Sequence, residues 1–180
     1  ALDALPSDSK LLIQDDGQVK IVSPQLLGRL HLNDPVPMGD EPSPALISLP
    51  IQPPPRLLAV TMSGRVALVR WEFAGQQQGT LERFLPTALE GDEVVSLLPL
   101  PNPEDLNANE TKSLGLLTSD GRFKRLPLKD IQELSGRAAT VLKLKEGVSL
   151  KAALICQDGA DVILISDIGR VLRLQAGETN

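Results

Sequence analysis

Tyrosine is absent from this 180-residue chain, and its aromatic side chains are limited to Trp71, Phe73, Phe84 and Phe123. Leucine and valine must therefore fill the interior, and no phosphotyrosine linkage to a nucleic acid can form within these residues. Cysteine is nearly absent too. Cys156 stands alone in the apolar run 152–156, which excludes an internal disulfide, reads as a buried and inert thiol, and is consistent with a reducing compartment. The one histidine, His31, lies between Leu30 and Leu32 with no partner signalled, so it reads as a surface or core strand residue rather than a ligand or general base. No Cys-x-x-Cys, His-Glu-x-x-His or Walker-type loop occurs. No apolar run approaches the roughly 18–20 residues of a membrane span. There is no signal-peptide pattern and the first residue is Ala1, so the chain reads as part of something longer. Positive charge is in the minority: the net charge is −5 and the pI about 4.9. That argues against a uniformly basic nucleic-acid binder, while leaving room for a basic stripe on an acidic body.

Against these absences, one pattern is written four times. Three apolar residues, a polar turn with glycine and a second apolar strand recur at 11–22, 58–69, 114–128 and 163–174. In the third copy, Leu114-Gly115-Leu116-Leu117 runs into Thr118-Ser119-Asp120-Gly121 and leaves through Arg122, Phe123, Lys124 and Arg125. Asp-Gly between apolar strands is a strong hairpin signal, because glycine tolerates the positive φ such a turn requires. The turn glycines, at 17, 64, 121 and 169, are separated by 47, 57 and 48 residues, the size of a propeller blade. A second set of glycines, 39, 91 and 147, trails the first three by 22, 27 and 26 residues. Each precedes an apolar strand: 45–49, 94–100 and 148–156. One unit is thus a hairpin, a connecting strand, a turn and a fourth strand.

The predicted class is all-β: a β-pinwheel or propeller-like array of about four four-stranded repeats, incomplete or open. The approximate units are 8–55, 56–112, 113–160 and a partial 161–180, together one repeat domain over 1–180. Between the hairpins, 35–44 reads as a proline-rich irregular connector, 53–55 as a stiff spacer, 76–79 as a polar loop, and 101–112 as an exposed loop. Residues 129–134 read as a helical turn and 138–144 as a strand. The acidic pairs 15–16, 92–93 and 104–105 read as solvated turn carboxylates rather than metal ligands. The sequon Asn109-Glu110-Thr111 carries no meaning in a cytosolic chain.

The cations follow the hairpins. Arg122, Lys124 and Arg125 crowd the outgoing strand of the third, Arg170 and Arg173 take matching places in the fourth, Arg65 and Arg70 follow the second turn, and Lys20 the first. If the units pack radially, equivalent positions form a discontinuous basic track that contacts phosphates without reading bases. Ordinary solvated strand residues are the plain alternative.

The stretches 116–128, 135–147 and 162–174 resemble the C-terminal domain of the A subunit of DNA gyrase and of topoisomerase IV. That family repeats apolar-apolar-Thr-x-x-Gly-x-x-Lys-Arg, an Arg-Gly-rich turn and Lys-Leu-x-x-Gly. The resemblance implies a β-pinwheel whose neighbouring blades exchange strands. It also implies a non-catalytic domain of a type IIA topoisomerase that binds, bends and wraps double-stranded DNA. The implied partners are the ATPase B subunit of the parent enzyme and the catalytic core preceding this domain, in the bacterial cytoplasm beside the nucleoid. No cofactor, metal or membrane is implied. Lys124 and Arg125 match the family's Lys-Arg pair, Arg137 the arginine of the turn, and Lys143 the lysine before the strand leucine. The departures are specific. The box Gln-Arg-Arg-Gly-Gly-Lys-Gly is absent, Ala67-Leu68 stands where hairpin two would carry Lys-Arg, and Gln14 replaces threonine in hairpin one. They point to weaker bending than a full gyrase wheel. A propeller-like protein-interaction module without DNA binding is the alternative.

Overall fold

Four antiparallel hairpins, each at a place where the apolar triplets and turn glycines put one, make the frame of the computed structural model. It describes residues 10–14, 18–22, 35–38, 41–50, 56–70, 78–101, 112–132, 134, 137–157, 161–165 and 171–175. In chain order the strands are β1 (Lys10–Gln14), β2 (Gln18–Val22), β3 (Pro35–Met38), β4 (Glu41–Pro50), β5 (Leu57–Thr61), β6 (Arg65–Leu68) and β7 (Gln78–Thr80). Two 3₁₀ turns follow, Leu81–Phe84 and Thr87–Leu89, and then β8 (Val94–Pro99), β9 (Lys112–Thr118) and β10 (Phe123–Pro127). The short helix α1 (Lys129–Gln132) precedes β11 (Ala139–Thr140), β12 (Leu150–Gln157), β13 (Asp161–Ile165) and β14 (Val171–Gln175). The fold is all-β, as the sequence predicts.

The chain divides into two compact units, 1–56 with 69–90, and 57–68 with 91–180. The first contains the sheet ordered β3-β4-β1-β2-β7. Ile13 and Val19 face each other across β1 and β2 and are almost fully buried. Of residues 35–44, expected to be irregular, 35–38 are instead β3 and 41–44 the start of β4, while 39 and 40 lie outside the described residues. Prolines usually break a ladder, but here they stand opposite one another, Pro35 to Pro44 and Pro37 to Pro42. In an antiparallel pair, alternate residue pairs make no inter-strand hydrogen bonds. Prolines placed on those pairs leave Val36–Ser43 and Met38–Glu41 to bond. Residues 78 and 79, expected in a loop, instead open β7, which pairs with β2 through Lys20–Gln78 and Val19–Gly79.

The second unit holds the sheets β11-β6-β5-β8 and β10-β9-β12 and the hairpin β13-β14. The central strands β5 and β9 are buried almost throughout, which is why both read as apolar runs rather than alternations. Leu58, Val60, Leu114, Leu116, Leu128 and Leu150 anchor one hydrophobic cluster in this unit. Each such side chain contributes about 1.5–3 kcal/mol by leaving water. Helix α1 follows directly on Leu128 and adds Ile131 to the cluster. The expected strand over 138–144 is confined to β11, whose two residues pair with β6.

Three features recur. The fourth strand of a unit, β4, β8 or β12, pairs antiparallel with the first strand of its own hairpin. Each of these pairings carries a bulge at the same place, opposite the step into Gln14, Thr61 or Thr118, where Leu46, Val95 or Lys151 is the extra residue. Finally, β7 and β11 each follow one hairpin in the chain yet extend the sheet of the hairpin before it. That is the strand exchange of a pinwheel. Among the described residues, β10 has no such added strand.

Candidate nucleic-acid interface

The turns of hairpins two and three are built alike. Thr61 Oγ1 accepts the Arg65 N–H at 3.2 Å and donates to the Arg65 carbonyl at 3.1 Å. Thr118 Oγ1 does the same with Arg122, at 3.0 and 3.1 Å. Gly64 and Gly121 donate to the carbonyls of Thr61 and Thr118, both at 3.1 Å, with φ of +82° and +81°. The pattern Thr-x-x-Gly-Arg therefore encodes a latched turn that delivers an arginine at a fixed place at the start of the outgoing strand.

The two arginines then meet different surroundings. In hairpin two, Arg65 reaches the turn that starts with Gly91. Its Nη2 lies 2.9 Å from Asp92 Oδ2, and its Nε lies 3.1 Å from the same oxygen and 3.2 Å from Ser63 Oγ. The Ser63 hydroxyl donates to Asp92 as well, the Ser63 N–H reaches Asp92 Oδ1 at 3.3 Å, and the Met62 N–H donates to the Glu93 carbonyl at 2.7 Å. The Asp92 side chain is only 8% exposed. Burial alone would raise its pKa, but the hydrogen bonds from Ser63 and Arg65, with Thr61 close by, outweigh that and hold the carboxyl below its ordinary 3.8. In hairpin three, Arg122 pairs instead with Asp120 of its own turn, at 3.2 Å, with 58% of its side chain exposed. The Thr118 hydroxyl bonded to Asp120, aided by the charges of Arg122 and Lys145, lowers that carboxyl too.

The other expected site residues fall as follows. Lys124 is exposed on β10; Arg125 beside it is half-buried and stands opposite Gly115. Arg137 and Lys143 are exposed on either side of β11. Arg70 is half-buried, its N–H donating to the Phe84 carbonyl at 2.8 Å. Arg173 is exposed on β14, opposite Ile163. Lys20 lies on β2, and Arg170 lies outside the described residues. Lys145, which no motif singles out, is exposed and close enough to Asp120 to stabilise its charge.

A window count would have singled that region out. Residues 112–157 contain nine lysines and arginines and four aspartates and glutamates, a net +5 within a chain of net −5, so the remaining residues carry −10. The cationic segment is one unit of repeat: β9, β10, α1, β11 and β12.

An all-β, strand-exchanging repeat domain with one cationic repeat is the class defined by these elements. Residues 116–157 match the family described as the DNA gyrase C-terminal domain, beta-propeller. The A subunit of DNA gyrase from Granulibacter bethesdensis is 35% identical over 98 residues, which are 54% of this chain and 10% of that protein. Among solved structures, the crystal structure of the C-terminal domain of DNA topoisomerase IV matches with a TM-score of 0.66 at 18% identity, over 96% of this chain and 53% of that one. The chain is thus similar in sequence to the gyrase protein and in fold to the topoisomerase IV domain, and its alignment spans about a tenth of the gyrase protein's length.

Proposed function

We propose that this chain is a non-catalytic DNA-binding and DNA-bending domain from the A subunit of a type IIA topoisomerase, presenting a duplex segment to the catalytic core. The observation that carries the reading is the coincidence of the +5 segment 112–157 with the family match at 116–157. Exposed Lys124, Arg137, Lys143 and Lys145 neutralise phosphates and release counterions, which binds duplex with little regard to sequence. Bending follows where neutralised phosphates lie along flexible base steps, at a cost the added contacts offset. A cytoplasmic, nucleoid-side location, the catalytic core of the same polypeptide and the ATPase B subunit belong to the same proposal.

Titrating a duplex of mixed sequence at two salt concentrations tests it. Four phosphate contacts imply a log–log slope of about −3.6, so a fourfold rise in salt weakens binding roughly a hundredfold. Salt-independent or strictly sequence-specific binding would overturn the reading. No binding at low salt would favour the alternative, a protein-interaction module using the acidic remainder.

A further inference from the structure

Arg65 and Arg122 occupy the same place in two copies of one turn, and sequence alone groups them as equivalent phosphate contacts. The geometry separates them. In both repeats the hairpin turn is tied to the turn before the fourth strand, where Gly91 and Gly147 have nearly identical φ of +75° and +74°. The tie itself differs. In hairpin three its hydrogen bonds use backbone and hydroxyl groups only, with the Lys145 charge near Asp120 beside them: the Ser119 N–H donates to the Ser149 carbonyl at 2.7 Å, and the Ser149 N–H donates to Ser119 Oγ at 3.0 Å. The residue after Gly147 is Val148, which offers no charge. In hairpin two the residue after Gly91 is Asp92, and it gathers Ser63 and Arg65 onto one nearly buried carboxylate.

We infer that Arg65 is a positioning residue, locking the hairpin-two turn to the Gly91 turn through Asp92, and that it is withheld from polyanions, which take their contacts from 112–157 instead. A carboxylate already fills the place a phosphate would take beside Arg65, and releasing it would loosen the tie between the turns, leaving only the bonds from Ser63 to Asp92 and from the Met62 N–H to the Glu93 carbonyl. Arg122 faces no such cost, because its partner Asp120 is on its own turn and both are well exposed. Exposed pairs of that kind are worth little and exchange readily. The locking role stands without any ligand; the withholding rests on the DNA-binding proposal.

Two measurements separate these halves. The first is a double-mutant stability cycle with Arg65→Ala and Asp92→Ala. Each single variant should lower the thermal midpoint by about 2–4 °C per lost kcal/mol, and the double variant should fall little further. Strictly additive losses would overturn the lock. Should either variant fail to fold, NMR of the guanidinium Nε–H groups in the unmodified protein decides: Arg65 Nε–H should be slow to exchange with solvent and Arg122 Nε–H fast, and equal rates would overturn it.

The second measurement adds duplex DNA to the same labelled protein. Arg122 Nε–H should shift and Arg65 Nε–H should not, and the salt slope of Arg65→Gln, which removes the charge, should equal that of the parent. A slope shallower by about 0.9, the change for one lost phosphate contact, or a DNA-induced shift at Arg65, would overturn the withholding. If the parent binds no duplex at any salt, the proposed function and the withholding fall together, while the stability cycle still decides the lock.

Discussion

The ring of Phe123 lies across Gly115, its neighbour on the adjacent strand: a Cβ built on Gly115 would stand 2.6 Å from Phe123 Cζ and 3.1 Å from Cε2. Phe123 pairs in register with Leu117 and Arg125 with Gly115, so the ring reaches diagonally over the glycine. Leu154 closes the same pocket from β12. This explains why one apolar triplet of the repeat contains a glycine.

Gly115→Ala should therefore destabilise the protein by about 1–3 kcal/mol through overpacking. The double variant Gly115→Ala with Phe123→Leu should recover part of that loss. Urea unfolding midpoints measure both; equal stability of the parent and Gly115→Ala would mean the ring moves freely.

Gly64 and Gly121 offer a comparison at constant φ. Alanine at Gly121 meets nothing within 4 Å, so its cost is the left-handed backbone alone, about 1–2 kcal/mol. Alanine at Gly64 would also strike the Leu142 carbonyl, just where the Gly64 carbonyl accepts N–H bonds from Val141 and Leu142 at 3.0 and 3.2 Å. The loss for Gly64→Ala should clearly exceed that for Gly121→Ala in the same unfolding experiment.

The threonine latch predicts a graded pair. Thr61→Val and Thr118→Val each remove the acceptor for an arginine N–H and should cost about 1–3 kcal/mol. Thr61 is fully buried and Thr118 is 6% exposed, so Thr61→Val should be the more damaging. Amide hydrogen exchange at Arg65 and Arg122 should quicken in the respective variants.

Asp92 sets an acid limit. Its folded pKa lies below 3.8, so its contribution to stability is complete above that value and is lost as pH falls through the lower, folded value. The parent should weaken on acidification below about pH 3.8 more steeply than Asp92→Asn does, and thermal midpoints along a pH series report the difference. Asp120 titrates in the same direction, so some acid sensitivity should survive in Asp92→Asn.

Charge reversal tests the interface. Lys143→Glu with Lys145→Glu, both exposed, should weaken duplex binding and flatten the salt slope, with at most a small fall in the thermal midpoint because a carboxylate would then stand near Asp120. Lys124→Glu with Arg125→Glu should weaken binding at least as much. Unchanged affinity in both would place the DNA elsewhere on the protein.

Much of this architecture was legible from residues alone, because each hairpin is specified within about a dozen positions by an apolar run and a glycine turn. The positive φ of Gly91 and Gly147 bears out two of the second set of landmarks, the third, Gly39, lying outside the described residues, and α1 falls where a helical turn is expected. What stayed hidden depends on partners far along the chain. β7 and β11 are strands only because a distant hairpin offers an edge, so two or three residues with no pattern of their own suffice. The prolines at 35–44 signal breakage locally, and only their mutual register makes them compatible with pairing. The two roles of Arg65 and Arg122 are likewise invisible in Thr-x-x-Gly-Arg, since a residue 27 positions later separates them.

The proline pairing in β3 has a consequence for crowded solutions. Residues on the unbonded pairs of an antiparallel ladder turn their backbone groups outward, and on β3 those residues are Pro35 and Pro37, which have no N–H to offer. A foreign strand sliding along this border would meet carbonyl oxygens and no donors. The flank is thereby barred to fibre-like growth, a protection built from main-chain chemistry alone.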